Sequence, residues 1–124
     1  MKSPAIITAA ALMVSAAIAL VANASAQPLS GLFTAKIIDG GDMYRRGSTM
    51  TFTMTPCGRD CTHLETGRGT RGDLRLHGNA WSGPFGVSTN TGAPCTAILD
   101  STSLVLTTHC PQQHDLVVRL AKLN

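Results

Sequence analysis

The most constraining feature of the chain is a strict alternation of apolar and polar side chains between Ser48 and Thr55. In this stretch, STMTFTMT, the apolar residues Met50, Phe52 and Met54 are separated by single threonines. Because successive side chains of a β-strand point to opposite faces, this period of two predicts a half-buried strand and does not fit a helix. An isolated strand is not stable in water, so its apolar face requires further strands to cover it.

Shorter segments of the same character follow one another along the chain, separated by residues that favour turns. The segment 116–123 fits either a strand or a helix, and the adjacent Val117 and Val118 favour the strand. Six to seven short strands predict an all-β fold, a small antiparallel sandwich or barrel, after an N-terminal signal helix. The predicted strands are the segments 31–39, 48–55, 73–77, 79–81, 95–99, 103–108 and 116–123.

The core of such a domain is small, because the chain contains only five aromatic residues. Trp81 is the single tryptophan and lies in a short alternating segment. A small core can hardly leave its largest ring in water. We therefore predict that Trp81 packs against the sheet face that carries Phe33, Met50, Phe52 and Met54.

The first 26 residues have the pattern of a secretory signal. Lys2 precedes an apolar run over residues 4–22, and residues 24–26 read ASA, the small-x-small pattern that signal peptidase recognises. We predict a signal peptide at 1–26, cleavage before Gln27, and one disulfide-stapled β domain at 27–124. The alternative is an uncleaved membrane anchor, because the apolar run approaches the length of a bilayer span. Cleavage leaves a mature form that does not span the membrane and is secreted or associated with the cell envelope.

The chain contains four cysteines, Cys57, Cys61, Cys95 and Cys110. An even number in a short exported chain indicates a disulfide framework, for which three connectivities exist. Cys57 and Cys61 bracket a turn, whereas Cys95 and Cys110 flank two predicted strands with the parity of a hairpin. We predict the pairs 57–61 and 95–110. A crossed pairing such as 57–110 stays open, because it would constrain more of the chain.

A zinc site is the alternative use of these cysteines. The spacing C-x3-C falls within the range of structural zinc sites, and the candidate ligands are Cys57, Cys61, His63, Cys110 and His114. An oxidising destination and the lack of a second close cysteine pair favour disulfides instead. We therefore expect no bound metal. We also expect no cofactor, because no phosphate-binding, dinucleotide-binding or hydrolase motif is present.

The tripeptide Arg71-Gly72-Asp73 follows a stretch rich in glycine and arginine at 67–70. In an exported protein such a tripeptide can bind a cell-surface receptor, although three residues are a weak criterion. The competing interpretation is a solvated loop that enters a strand at Leu74.

The charge of the predicted mature chain is small. Without Lys2 it has nine basic and seven acidic residues, a net charge of +2. This charge does not indicate a nucleic-acid partner. The partner that we expect is an extracellular or envelope ligand of unknown chemistry.

Several short segments, read in order, carry a family resemblance. They are DGG at 39–41, TPCGRDCTH at 55–63, LHGNAW at 76–81 and the later Cys95. In this order the chain resembles a group of small secreted β-domain proteins of mycobacteria and related actinobacteria. Members of that group are largely uncharacterised, so the resemblance implies location and architecture and no functional residues. The basic stretch between Arg68 and Arg71 departs from the pattern of the group.

Two functional hypotheses from different classes remain. The first is an exported, non-enzymatic binding or envelope-associated domain. The second is a small secreted hydrolase or metal-handling protein whose site is assembled from distant residues. A pocket that contains His63, His109 or His114 beside a carboxylate would favour the second hypothesis.

Overall fold

The computed structural model describes residues 29–123, which form eight β-strands and no helix. The strands are β1 (Gly31–Asp39), β2 (Thr49–Pro56), β3 (Cys61–Thr66), β4 (Arg71–His77), β5 (Ala80–Val87), β6 (Pro94–Asp100), β7 (Val105–His109) and β8 (Leu116–Lys122). The predicted all-β class is confirmed, but the predicted number of strands, six to seven, was wrong. The predicted signal helix lies outside the described residues. Within residues 29–123 no helix is long and apolar enough to span a membrane.

The strand that sequence reasoning missed is β3. Its inward-facing residues are Thr62, Leu64 and Thr66, so two of the three interior positions carry a hydroxyl and the apolar alternation is hidden. Thr62 is completely buried, and its Oγ1 donates a hydrogen bond to the carbonyl oxygen of Leu29 at 2.6 Å. A buried threonine is tolerated when its hydroxyl is paired in this way.

The eight strands form a closed antiparallel barrel in which each strand pairs with the next and β8 pairs with β1. Closure removes the unpaired edges that an open sheet exposes to other chains. It also explains the C-terminal segment, because β8 forms ladders with both β7 and β1. The sequence prediction that favoured a strand at 116–123 is therefore confirmed.

The core fills the interior of the barrel. Trp81 is 2% exposed and belongs to the same buried cluster as Phe33, Phe52 and Met54. Met50 lies at the edge of that cluster and is partly buried. The prediction that Trp81 is a core residue is confirmed.

The antiparallel order sorts the connections into two groups. The segments 40–48, 67–70, 88–93 and 110–115 lie at one end of the barrel, here called the upper end, and the turns 57–60, 78–79 and 101–104 lie at the lower end. The structure contains the disulfides Cys57–Cys61, in the lower-end turn between β2 and β3, and Cys95–Cys110, between β6 and the end of β7. Both pairs are those predicted from the sequence.

Candidate functional site

A cavity of about 260 Å³ opens at the upper end of the barrel. Residues from all four upper-end connections line it, together with the upper parts of several strands. Large apolar or aromatic side chains form much of the lining: Met43, Tyr44, Met50, Phe52, Phe85, Val87, Leu106, Leu116 and Val118. The cavity is therefore an apolar recess in the mouth of the barrel, a common place for a ligand site.

Short inward-facing residues on three of the strands leave room for the cavity at the upper end. Thr66, Cys95 and Thr108 occupy interior positions there, and all three line the cavity. The floor is made by larger side chains, including Phe52 and Phe85, whose ring centroids are 6.3 Å apart. These short side chains do not fill the interior, so the space above the aromatic floor stays open.

Hydrogen bonds tie the loops around the mouth to one another. The Nε2 of Gln113 donates to Thr89 Oγ1 at 3.1 Å and to Met43 Sδ at 3.4 Å, and the Thr89 amide donates to Gln113 Oε1 at 3.3 Å. The hydroxyl of the buried Ser88 donates to the carbonyl oxygen of Pro111 at 3.2 Å. With the Cys95–Cys110 disulfide in the wall, these bonds give the mouth a defined shape.

The rim of the cavity exposes apolar surface. Met43 is 60% exposed and Val87 is 63% exposed, and both line the cavity. Single exposed apolar residues are common on protein surfaces. Two of them beside an apolar recess extend its lining outward, so a bound molecule can remove them from water.

Two basic side chains, Arg68 and His114, line the cavity, and no Asp or Glu is among its described lining residues. His114 Nε2 lies 3.0 Å from Asp39 Oδ1, and this hydrogen bond raises the pKa of His114. The pKa of Asp39 is lowered, first by the amide of Gly41, which donates to Oδ1 at 3.1 Å, and then by His114. His114 is thus paired with Asp39, which leaves Arg68 as the basic lining residue without an ion-pair partner among the described residues.

The other two histidines singled out in the sequence also lie beside carboxylates, but away from the cavity lining. His63 Nδ1 lies 2.7 Å from Asp73 Oδ1, which raises the pKa of His63, and Nε2 lies 3.4 Å from Glu65 Oε1. His109 Nδ1 lies 2.6 Å from Asp115 Oδ1. Of the three predicted candidates, only His114 is brought to the pocket.

The residues of the alternative zinc site are not brought together. Cys57 and Cys61 lie at the lower end of the barrel, whereas Cys110 and His114 lie at the upper end. The one compact group of potential ligands among the described residues is Cys57, Cys61 and Asp73. Its two sulfurs are joined in a disulfide and cannot act as thiolates, which are the form of cysteine that binds metal.

The tripeptide Arg71-Gly72-Asp73 forms the start of β4 and not a loop, which corrects the sequence interpretation. It pairs with β3 through Arg71–Glu65, Gly72–Leu64 and Asp73–His63. A Cβ atom on Gly72 would lie 2.0 Å from the carbonyl oxygen of Pro84, so the glycine lets β4 approach β5 closely. The receptor role of the tripeptide stays a prediction, whereas its glycine has a packing role.

A second, more open groove lies on the outside of the barrel. Its cations are Lys36, Arg46 and Arg119, and Asp39 lies at one side. Lys36 stands directly opposite Arg119 in the ladder between β1 and β8. Because like charges opposite each other in a sheet repel, this groove is a second place where an anion could bind.

Sequence reasoning missed the residues that make the mouth. Met43, Val87 and Gln113 lie in or beside turn segments, and no motif connects them. The available signal was that Met43 and Val87 are large apolar residues next to turns, where exposure is expected. Single positions of this kind do not show that they face the same recess.

No protein-family model, curated protein or solved structure matches the chain. Its function is therefore inferred from its own residues.

Proposed function

We propose that the protein is an exported, non-enzymatic binding domain that takes a small, mainly apolar ligand into the upper-end cavity. The observation that carries the proposal is the apolar lining of a recess that all four upper-end connections build. Concave, mostly apolar sites with few polar groups are typical of small-molecule binding.

The volume limits the size of the ligand. A cavity of about 260 Å³ holds roughly nine groups of the size of a water molecule, at ~30 Å³ each. A chain of about eight carbons fits this space, because a methylene group needs a similar volume. Burying about six of its methylene groups at ~0.8 kcal/mol each contributes roughly 5 kcal/mol. Because association has its own entropic cost, we expect a Kd on the order of 1 mM for a neutral ligand of this length.

The mouth needs little rearrangement to accept such a molecule. The bonds of Gln113 to Thr89 and Met43, and that of Ser88 to Pro111, already connect the loops. A site that is ordered before binding loses less conformational entropy when the ligand enters. The fixed arrangement of these loops supports ligand binding as the main role of the upper end.

Export and an oxidising destination form the second part of the proposal. Two disulfides in a small domain are compatible with an extracellular or envelope location, since such bonds persist where the environment is oxidising. The signal pattern at 1–26 and the resemblance to secreted actinobacterial domains support the same location.

A small hydrolase is the second candidate, and the His114–Asp39 pair supports it. The pair lies at the mouth of the cavity, where His114 could act as a general base towards water. No free thiol lines the cavity among the described residues, because Cys95 and Cys110 are joined. Turnover of a short-chain nitrophenyl ester that disappears in His114→Gln would favour the hydrolase over the binding domain.

The binding proposal is tested with octan-1-ol, a neutral eight-carbon probe, titrated into the ¹⁵N-labelled mature protein. We expect saturable amide shifts around the cavity. Leu116→Trp fills the cavity and should abolish them, whereas Val117→Trp, the adjacent residue on the outer face of β8, should not. Val87→Trp, at an exposed rim position, repeats the test without disturbing the core. No saturable shifts with the parent protein, or unchanged binding in both cavity variants, would refute the proposal.

A further inference from the structure

The cavity combines an apolar lining with one uncompensated cation. Of the described residues that line it, Arg68 and His114 are basic and none is a carboxylic acid. We propose that the natural ligand is an amphiphilic anion, a carboxylate on an apolar chain of about eight carbons, whose head group binds Arg68 at the mouth. This inference rests on the proposed function and names the chemical class of its ligand.

Arg68 is held at the mouth by its own loop. Thr66 Oγ1 accepts hydrogen bonds from the amides of Arg68 at 3.3 Å and Thr70 at 3.2 Å. The amide of Gly67 donates to the carbonyl oxygen of Thr51 at 3.2 Å, and the amide of Gly69 donates to the carbonyl oxygen of Thr66 at 3.1 Å. The backbone that carries the guanidinium is therefore fixed against β2 and β3.

The guanidinium of Arg68 has no ion-pair partner among the described residues, where each ion pair joins a histidine to a carboxylate. Asp39, the carboxylate beside the cavity-lining His114, is hydrogen-bonded to His114 and to the amide of Gly41. A cation beside an apolar recess, with no acid in the recess, attracts an anion more strongly than a neutral group. An anion with an apolar body satisfies both parts of the site.

A carboxylate suits this cation better than a simple alcohol does. The planar guanidinium can donate two parallel hydrogen bonds to the two oxygens of a carboxylate. The chain then extends past the rim residues Met43 and Val87 towards the floor at Phe52 and Phe85. A hydroxyl head group on the same chain loses the charge-assisted bonds and keeps the apolar burial.

The outer groove is the competing anion site, because it carries Lys36, Arg46 and Arg119. It differs from the cavity in having a carboxylate, Asp39, at its side and few large apolar side chains. A ligand held only by charge would bind there, whereas one that needs both charge and apolar burial would bind in the cavity. Substituting one cationic residue of the cavity and one of the outer groove shows which of the two sites binds the anion.

The experiment compares octanoate with octan-1-ol at about pH 7 and low salt, where surface charges are least screened. The proteins compared are the parent, Arg68→Gln and the matched control Arg119→Gln. Binding to each ¹⁵N-labelled mature protein is measured from its amide chemical shifts. We expect octanoate to bind the parent about tenfold more tightly than octan-1-ol. Arg68→Gln should remove this preference, whereas Arg119→Gln should keep it.

The outcomes separate this inference from the proposed function. Equal binding of the two probes to the parent, or an octanoate preference that survives in Arg68→Gln, overturns the anionic ligand and leaves the binding cavity in place. Loss of the preference in Arg119→Gln alone assigns the anion to the outer groove and also overturns the inference. Failure of both probes to give saturable shifts refutes the proposed function and the ligand class together.

Discussion

Replacing Trp81 by alanine tests the packing of the lower half of the barrel most directly. Trp81 is 2% exposed, and its neighbours across the sheet are Leu76 on β4 and Leu99 on β6. Truncating a large buried aromatic side chain costs about 3–5 kcal/mol, because apolar transfer energy is lost and a cavity remains. A domain of this size has a free energy of unfolding of roughly 5–14 kcal/mol. The substitution therefore removes a large part of its stability.

The assay is thermal unfolding followed by far-ultraviolet circular dichroism, since tryptophan fluorescence is lost in the variant. A loss of about 3–5 kcal/mol lowers the Tm of a domain of this size by at least ~12 °C. The control is Ile98→Ala on β6, because Ile98 is a large apolar residue that is 50% exposed. We expect the control to shift the Tm by only a few degrees. A Tm of Trp81→Ala that lies within a few degrees of the parent would refute the assignment of the ring to the core.

Two further predictions concern the backbone and the histidines. Gly72→Ala should lower the urea midpoint of unfolding markedly, because the new Cβ would lie 2.0 Å from the carbonyl oxygen of Pro84. The control Gly67→Ala should lower it far less, because a Cβ there has no atom within 4 Å. Equal effects of the two substitutions would contradict the close approach of β4 and β5. Carboxylate partners raise the pKa values of His63 and His114 above 6.5. Their stabilisation is therefore complete below about pH 6.5 and is lost as the pH rises through the folded-state pKa. The urea midpoint of unfolding should be higher at about pH 5.5 than at about pH 8.5. The double substitution His63→Gln and His114→Gln should reduce this difference. An unchanged difference in the double variant would rule out the histidine–carboxylate pairs as its source.

Local patterns in the sequence were enough to predict the fold class and the disulfides. The alternation of Met50, Phe52 and Met54 with threonines predicts a strand because side-chain period is a local property of the backbone. The pairing of Cys95 with Cys110 follows from two strands joined by a short turn, where the register places the two residues opposite each other. In both cases the interacting residues are close in sequence.

The number of strands required information from distant parts of the chain. In β3, Thr62 and Thr66 occupy interior positions, and Thr62 is satisfied by Leu29, which lies 33 residues earlier. Its polar composition therefore does not reveal a buried face. In β5, Gly83 and Pro84 resemble a turn, but they pair with Ala97 and Thr96 of β6, so the strand continues past them.

The cavity and the position of Arg68 were decided by the tertiary structure alone. Closure depends on the ladder between β1 and β8, which brings opposite ends of the described chain together. Only this closure places Met43 and Gln113, from two separate connections, and Val87, from the end of β5, around one mouth with Arg68. The sequence by itself determined which residues alternate and which cysteines can pair, because those properties are local. The shape and charge of a recess depend on side chains that are far apart in sequence, so they exist only once the barrel has closed.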